Sequence, residues 1–384
     1  LYKCKKCELV QILKLAPTKK MYGATYGYQT GISNLMTSHL KNKIKYLKKK
    51  NFINNASSVL DIGSNDGSFL NFFSKKNFLI GTDPSIKKFK KNYKPFVHTI
   101  DNFFSKKNIL NFFNKKKIQE KKFNLITSFA IFYDIENPNL FCKDIHELLS
   151  KDGVWVSEFS YLPLMLKNLT YDQICHEHIA YYNLKVFNSI IKRNKLKIIN
   201  VNFNEINGGS IEVICAKNNS KFKENNYLIK RILNDEKKIT LKSYKNFYRR
   251  INKKKNNLNF FLKQNKSKKI IGYGASTKGN IVLNHCKISN KFLPYICDAN
   301  KTKINKFTPG TNIKIISKER MRIYNPDFLL VLIWPFRKEV IKQEIKYLKN
   351  GGKLIFHLPK LHIINKLNYK KYLKMDFKSM SYSY

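Results

Sequence analysis

The run Ser58-Val-Leu-Asp-Ile-Gly63-Ser-Asn-Asp-Gly67 reads as a short apolar strand that ends in an acid and breaks into a glycine turn. Phe69-Leu-Asn-Phe-Phe73 is expected to continue as a helix, and Phe78-Leu-Ile-Gly81 as a second strand ending at Asp83. A third strand is expected to end near Asp101 and a fourth to cover Phe123–Thr127, followed by a helix over Asn139–Leu149 and a strand over Val154–Val156. Strands alternating with helices imply a parallel, doubly wound α/β sheet.

The turn itself points to a ligand class. It is acidic-x-Gly-x-x-x-Gly, distinct from the Gly-x-Gly-x-x-Gly of many dinucleotide sites. Glycines let a ligand approach the backbone, while carboxylates repel a pyrophosphate and suit a cationic, hydroxyl-rich molecule such as S-adenosylmethionine. Asp83 lies where a carboxylate takes both ribose hydroxyls, and Asp101 where one reaches an adenine amino group. The expected cofactor set is Asp61, Gly63, Asn65, Asp66, Gly67, Asp83, Pro84 and Asp101.

Outward from the sheet, the alternation is interrupted by Tyr171-Asp-Gln-Ile-Cys-His-Glu-His178, and Asn207-Gly-Gly209 sets a turn before the strand Ser210–Ile214. The triplet is not a His-Glu-x-x-His zinc motif, because position 180 is Ala. Histidine needs no environmental help to titrate near neutral pH, so His176 and His178 are both candidate general bases. At Lys268-Lys-Ile-Ile-Gly272 a second strand, glycine turn and helix begin. Its loop, Gly272-Tyr-Gly274-Ala-Ser-Thr-Lys278-Gly279-Asn280, lacks the Walker pattern yet offers helix-start amides and Lys278 to a diphosphate.

The 384 residues carry 74 Lys+Arg against 25 Asp+Glu, a formal charge of +49. Lysine is spread from Lys3 to Lys378 among many Asn, Ile, Phe and Tyr, a mixture that A/T-rich codons produce without any binding role. Neither a specific nucleic acid nor a membrane partner is expected. Seven scattered cysteines do not form a disulfide framework and fit a reducing cytoplasm. Cys4-x-x-Cys7 has the spacing of two thiolates of a tetrahedral zinc site. The expected organisation is an N-terminal module with a Tyr-rich loop (1–50), a cofactor-binding domain (51–218), a helical connector (219–266), a smaller Rossmann-like domain (267–368) and a poorly ordered tail (369–384).

In this order, the motifs resemble the S-adenosylmethionine-dependent C-methyltransferases of nucleotide-linked deoxysugars. The matching stretches are Cys4-Lys-Lys-Cys7-Glu-Leu-Val-Gln11, Tyr26-Gly-Tyr28, Leu60–Gly67, Gly81-Thr-Asp-Pro84, His176-Glu-His178, Asn207-Gly-Gly-Ser210, Gly272–Gly279 and Pro309-Gly310. The resemblance implies a zinc-binding module, a class I methyltransferase domain and a C-terminal Rossmann-like domain. It implies a nucleotide diphosphate-linked 4-keto sugar as substrate. A His matching His178 would remove the C3 proton, with Glu177 in the same site, Tyr28 reaching the sugar, and Tyr181, Tyr182 or Tyr28 holding the enolate oxygen.

It further implies substrate contacts from Tyr26, Asp134, Asn207, Gly208, Tyr273, Gly274, Ala275, Lys278 and Asn280. Two departures stand out. Asp134 occupies a segment where some relatives carry His, and the other zinc-ligand pair is expected upstream of Leu1. A methyltransferase of RNA or protein and a non-catalytic sugar-nucleotide-binding protein are the competing readings, and the oligomeric state is open.

Overall fold

The computed structural model describes residues 1–22 and 26–375. Gly23, Ala24 and Thr25 of the expected Tyr-rich loop, and 376–384 of the expected tail, lie outside the described residues. The rest divides into two compact units, the first comprising 1–162, 176–204 and 210–238, the second 163–175, 205–209 and 239 onward.

The first unit holds two sheets. The strands are β1 (Tyr2–Lys3), β2 (Val10–Gln11), β3 (Ser58–Ile62), β4 (Phe78–Thr82), β5 (His98–Ile100), β6 (Phe123–Phe129), β7 (Leu149–Ser160), β8 (Ala180–Tyr181), β9 (Leu196–Asn204) and β10 (Ser210–Lys217). Seven of them form one sheet in the order β5-β4-β3-β6-β7-β10-β9. The first five are parallel, and β10 runs antiparallel to both its neighbours. The order reverses between β3 and β6, so the crevice beyond their carboxyl ends is the position where such sheets bind ligands. All five residues of β3 are buried, as a central strand covered on both faces requires.

Helix Asn34–Lys49 starts where the Ser33 side chain accepts the Met36 amide, and buries Met36, Leu40, Ile44 and Leu47 at helical spacing. Polar contacts fix it to the sheet. His39 Nε2 lies 2.9 Å from Glu158 Oε2, Lys43 pairs with the fully buried Glu212, and these two glutamates face each other across β7 and β10. Losing one partner of such a buried pair costs more than the pair contributes, so the contacts specify position.

The second unit has β11 (Ile270–Tyr273), β12 (Tyr295–Cys297), β13 (Lys314–Ile316), β14 (Phe328–Val331), β15 (Lys353–Phe356) and β16 (His362–Ile364). They order as β13-β12-β11-β14-β15-β16, parallel except for β16. The doubly wound α/β expectation therefore holds for both units.

Several local expectations are corrected. Between the glycine turn and β4 there is one 3₁₀ turn, Leu70–Phe72, instead of a helix, because Phe69, Leu70 and Phe73 are all buried within a crossover too short for a full helix. The segment 219–266 forms two helices assigned to different units, Asn226–Glu236 and Leu241–Gln264. Residues 163–175 and 205–209, expected in the cofactor domain, pack in the second unit. Residues Tyr369–Lys374 of the expected tail form a helix with Tyr369 buried. No helix among the described residues is long and apolar enough to cross a membrane.

Ile126 is fully buried in β6, between β3 and β7. Ile126→Ala should destabilise the first unit by about 2–5 kcal/mol, read as a lowered urea midpoint.

Candidate active site

The carboxyl ends of β3 and β4 meet through the Gly63 and Ser64 amides, which donate to the Thr82 carbonyl at 2.9 and 3.3 Å, and through a bond to a side chain. The Asn65 amide donates to Asp83 Oδ2 at 3.0 Å, while Asp83 Oδ1 accepts from the amide of Ser85 at 2.7 Å and its hydroxyl at 2.5 Å. Burial raises the Asp83 carboxyl above the usual range, against these hydrogen bonds. Asp61 lies in the buried strand, accepts from Thr127 Oγ1 at 2.7 Å, and is pushed up to about 7 by burial. Asp101 is exposed just beyond β5 and adds repulsion to Asp83.

None of these three carboxylates joins a salt bridge among the described residues. Desolvated Asp61 and Asp83, with exposed Asp101 beyond them, fit a ligand bearing a sulfonium, an ammonium and a ribose diol at the switch point.

The glycines and the Asn-Asp pair work differently from expectation. Gly63 and Gly67 have φ of +72° and +77°. A Cβ on them would meet Ile131 and the Tyr93 ring, each at 2.7 Å, so protein packing fills the space expected for a ligand. The Asn65 and Asp66 side chains face the N-terminal loop. Asn65 Oδ1 accepts the Thr30 amide at 2.9 Å, Asn65 Nδ2 donates to the Tyr28 carbonyl at 3.2 Å, and Asp66 Oδ2 accepts the Gly31 amide at 2.8 Å. Lys88, four residues past Pro84, donates to the Tyr26 carbonyl at 2.7 Å. The cofactor turn thus carries the tyrosine loop.

That loop meets the segment after β6 and the His-Glu-His run. Tyr22 and Tyr26 have ring centroids 5.2 Å apart, and Tyr26 and Tyr28 6.5 Å. The Tyr22 hydroxyl lies 3.4 Å from the Glu177 carbonyl and hydrogen-bonds the Asp134 carboxyl. His178 sits against Tyr133 at 4.1 Å between ring centroids. His176 is exposed, whereas Glu177 and His178 are half-buried. Tyr181 is held in β8, paired with Val10 of β2. Tyr182 is buried against Phe132 at 4.8 Å, and its hydroxyl has no hydrogen-bond partner among the described residues. Sequence reasoning missed Tyr22 and Tyr133; their only signal was position, in the tyrosine loop and beside Asp134.

The run Tyr171–His178 is divided between the units, so Tyr171 and Asp172 are not part of this cluster. Asp172 accepts from Trp334 Nε1 at 2.8 Å in the second unit, and Lys278 Nζ donates to Asn207 Oδ1 at 3.1 Å. Burial lowers the Lys278 ammonium, with Asp172 opposing. Asn207 and Lys278 therefore come together as neighbours, with Gly208 seated against the Trp334 ring.

The diphosphate loop is corrected. The Gly274 amide donates to the Cys297 carbonyl and the Ala275 amide to Asp298, both at 2.8 Å, which removes two expected anion donors. The Tyr273 hydroxyl is committed to Gln343 and Glu344 at 3.0 Å. Asn280 lies in helix Thr277–Cys286, its Oδ1 without a partner among the described residues.

The zinc expectation gains no support. Cys4 is half-buried and Cys7 exposed, and hydrogen bonds from the Cys7 and Lys6 amides hold the Cys4 thiol below its ordinary range. Two thiols supply half of a tetrahedral set, and no group of three or more His, Cys, Asp or Glu able to hold a metal occurs among the described residues.

Asp83→Ala should weaken S-adenosylmethionine binding at least tenfold by calorimetry, equivalent to about 1.4 kcal/mol. Asp61 gives a pH prediction. Its folded pKa of about 7 exceeds the ordinary 3.8, so its stabilising contribution is present at low pH and lost between about pH 4 and 7. Thermal melts at pH 5 and pH 8 should show a smaller loss for Asp61→Asn than for the wild type.

Comparisons with known proteins find similar domains along the chain. Residues 35–201 match the family described as methyltransferase domain, and residues 205–359 the C-methyltransferase C-terminal domain. C-methyltransferase NovU of Streptomyces niveus is 24% identical over 368 residues, covering 94% of this chain and 86% of that protein. Among solved structures, a putative S-adenosylmethionine-dependent methyltransferase from Listeria monocytogenes aligns with TM-score 0.33 and 11% identity over 46% of this chain and 99% of its own. Magnesium protoporphyrin IX methyltransferase from Synechocystis aligns with TM-score 0.35 and 10% identity over 47% of this chain and 79% of its own. With a methyltransferase domain and a C-methyltransferase C-terminal domain in succession, the chain belongs to the S-adenosylmethionine-dependent C-methyltransferases.

Proposed function

We propose that the protein methylates a carbon beside the ketone of a nucleotide diphosphate-linked 4-keto-deoxysugar, at C3, through an enolate. The observation that carries this reading is the assembly of His178, Tyr133, Asp134 and the tyrosine loop on the same unit as the acidic switch-point turn. Bound S-adenosylmethionine supplies an electrophilic methyl group, and Asp61, Asp83 and Asp101 are the residues that would hold it.

The remaining chemistry falls to side chains. A carbon next to a ketone becomes a nucleophile only when it loses a proton, and the C–H electron pair then spreads onto the ketone oxygen. His178 is the proton acceptor, with Tyr133 limiting the positions its ring takes. Glu177 follows the fixed carbonyl contact to Tyr22 and supports the same wall. The similarity to C-methyltransferase NovU supports carbon as the acceptor atom; the sugar rests on the motif resemblance and on Tyr26 and Tyr28, whose aromatic faces and hydroxyls suit a pyranose.

His178→Asn keeps bulk and removes the basic nitrogen. Calorimetry should show cofactor binding retained while turnover falls by roughly 10²–10⁴-fold. In deuterated water with the demethylated cofactor, wild type should exchange the C3 proton of a thymidine diphosphate-linked 4-keto-6-deoxyhexose, and the variant should not. Exchange by the variant at the wild-type rate would remove His178 as the base and make His176 the next residue to test.

A further inference from the structure

The turn that carries Asp134 is unusually well anchored. Phe132 is fully buried, with ring centroids 4.8 Å from Tyr182, 4.9 Å from Phe187 and 5.8–5.9 Å from Phe141, Trp155 and Phe159. The Asp134 amide closes the turn on the Ile131 carbonyl at 2.9 Å. Two consecutive residues, Tyr133 and Asp134, are thereby fixed, one against the His178 ring and the other against the Tyr22 hydroxyl.

The carboxyl group of Asp134 is chemically out of place unless something meets it. Its Oδ1 is buried and has no hydrogen-bond partner among the described residues. The titratable groups around it are Tyr22 and Tyr26 of the N-terminal loop, Tyr133 of its own turn, Glu177 and His178 of the His-Glu-His run, and Tyr182 after β8. No Lys or Arg pairs with it in the described residues. Burial, with Glu177 adding to it and Tyr22 opposing, raises the carboxyl well above the usual carboxylate range. A neutral acid has one proton to give; the Tyr22 hydroxyl, which also donates to the Glu177 carbonyl at 3.4 Å, hydrogen-bonds the carboxyl, and Oδ1 is the carboxyl oxygen without a partner among the described residues, able to carry that proton toward a ligand.

We propose that Asp134 donates a hydrogen bond from Oδ1 to the ketone oxygen beside the methylated carbon, and so stabilises the enolate that His178 generates. This rests on the enolate reading above. The bond is made to the neutral ketone and strengthens as charge moves onto that oxygen, so its benefit falls on the step that breaks the C–H bond. The proton stays on Asp134, and His178 alone receives the carbon-bound proton.

The test uses the full chain, the demethylated cofactor, deuterated water and the same thymidine diphosphate-linked 4-keto-6-deoxyhexose, with exchange at carbon followed by NMR. Asp134→Ala should bind the demethylated cofactor as wild type does but slow exchange by about 10²–10³-fold, the effect of removing one oxyanion donor. Asp134→Asn keeps a donor and should recover most of that loss. Wild-type exchange should also fall at alkaline pH as the acid ionises, and Asp134→Asn should lack this fall. Exchange by Asp134→Ala at the wild-type rate, with His178→Asn still inactive, would overturn the role of Asp134 and leave the enolate reading standing. Equal losses in the Ala and Asn variants would also overturn it. If wild type exchanges no proton while cofactor binding is intact, the enolate reading fails and this assignment with it.

Discussion

The contact between the Asn65 amide and the Asp83 carboxylate organises most of what the first unit does. It joins the turn after β3 to the end of β4 and holds Asn65 at φ +49°, a left-handed conformation that asparagine tolerates. In that conformation the Asn65 side chain holds Tyr28 and Thr30, while Asp66 holds Gly31. The loop so placed delivers Tyr22 to Asp134 and Glu177. A residue pair expected to touch only a cofactor therefore also sets the tyrosine loop against Asp134 and Glu177.

The charge distribution explains how such a site survives in a chain of formal charge +49. Lysines crowd the surface, yet none pairs with Asp61, Asp83 or Asp134 among the described residues. Desolvation dominates at all three, and each is pushed toward its neutral form. With no lysine paired to them among the described residues, their protonation is left to burial and to any ligand that reaches them.

The second unit repeats the first one's grammar to a different end. The Ala275 amide donates to Asp298 at the end of β12 much as Asn65 does to Asp83, at 2.8 Å against 3.0 Å. Here a lysine answers the acid, since Lys303 lies 3.8 Å from Asp298 and donates to the Ala275 carbonyl. The acid and the Ala275 amide are thus met inside the protein, and Lys278 donates to Asn207 in the same unit.

Periodicity and glycine placement were enough to read both parallel sheets, the acids at the strand ends and the order of the motifs, because short buried strands and positive-φ turns are local requirements written in local residue types. The His-Glu-His run stands out in the sequence by residue type alone. What belongs with what was not legible. Tyr171 and Asp172 lie within a few residues of His178 yet pack in the other unit, and Gly63 is required by Ile131, a residue on a different strand-end loop. In sequence Asp134 stands out only as a departure from the family pattern. Only the tertiary structure, by burying Phe132 among five rings and pairing no described Lys or Arg with the carboxyl, pushes it toward its neutral form, because protonation is set by desolvation and neighbours that the chain brings together from afar.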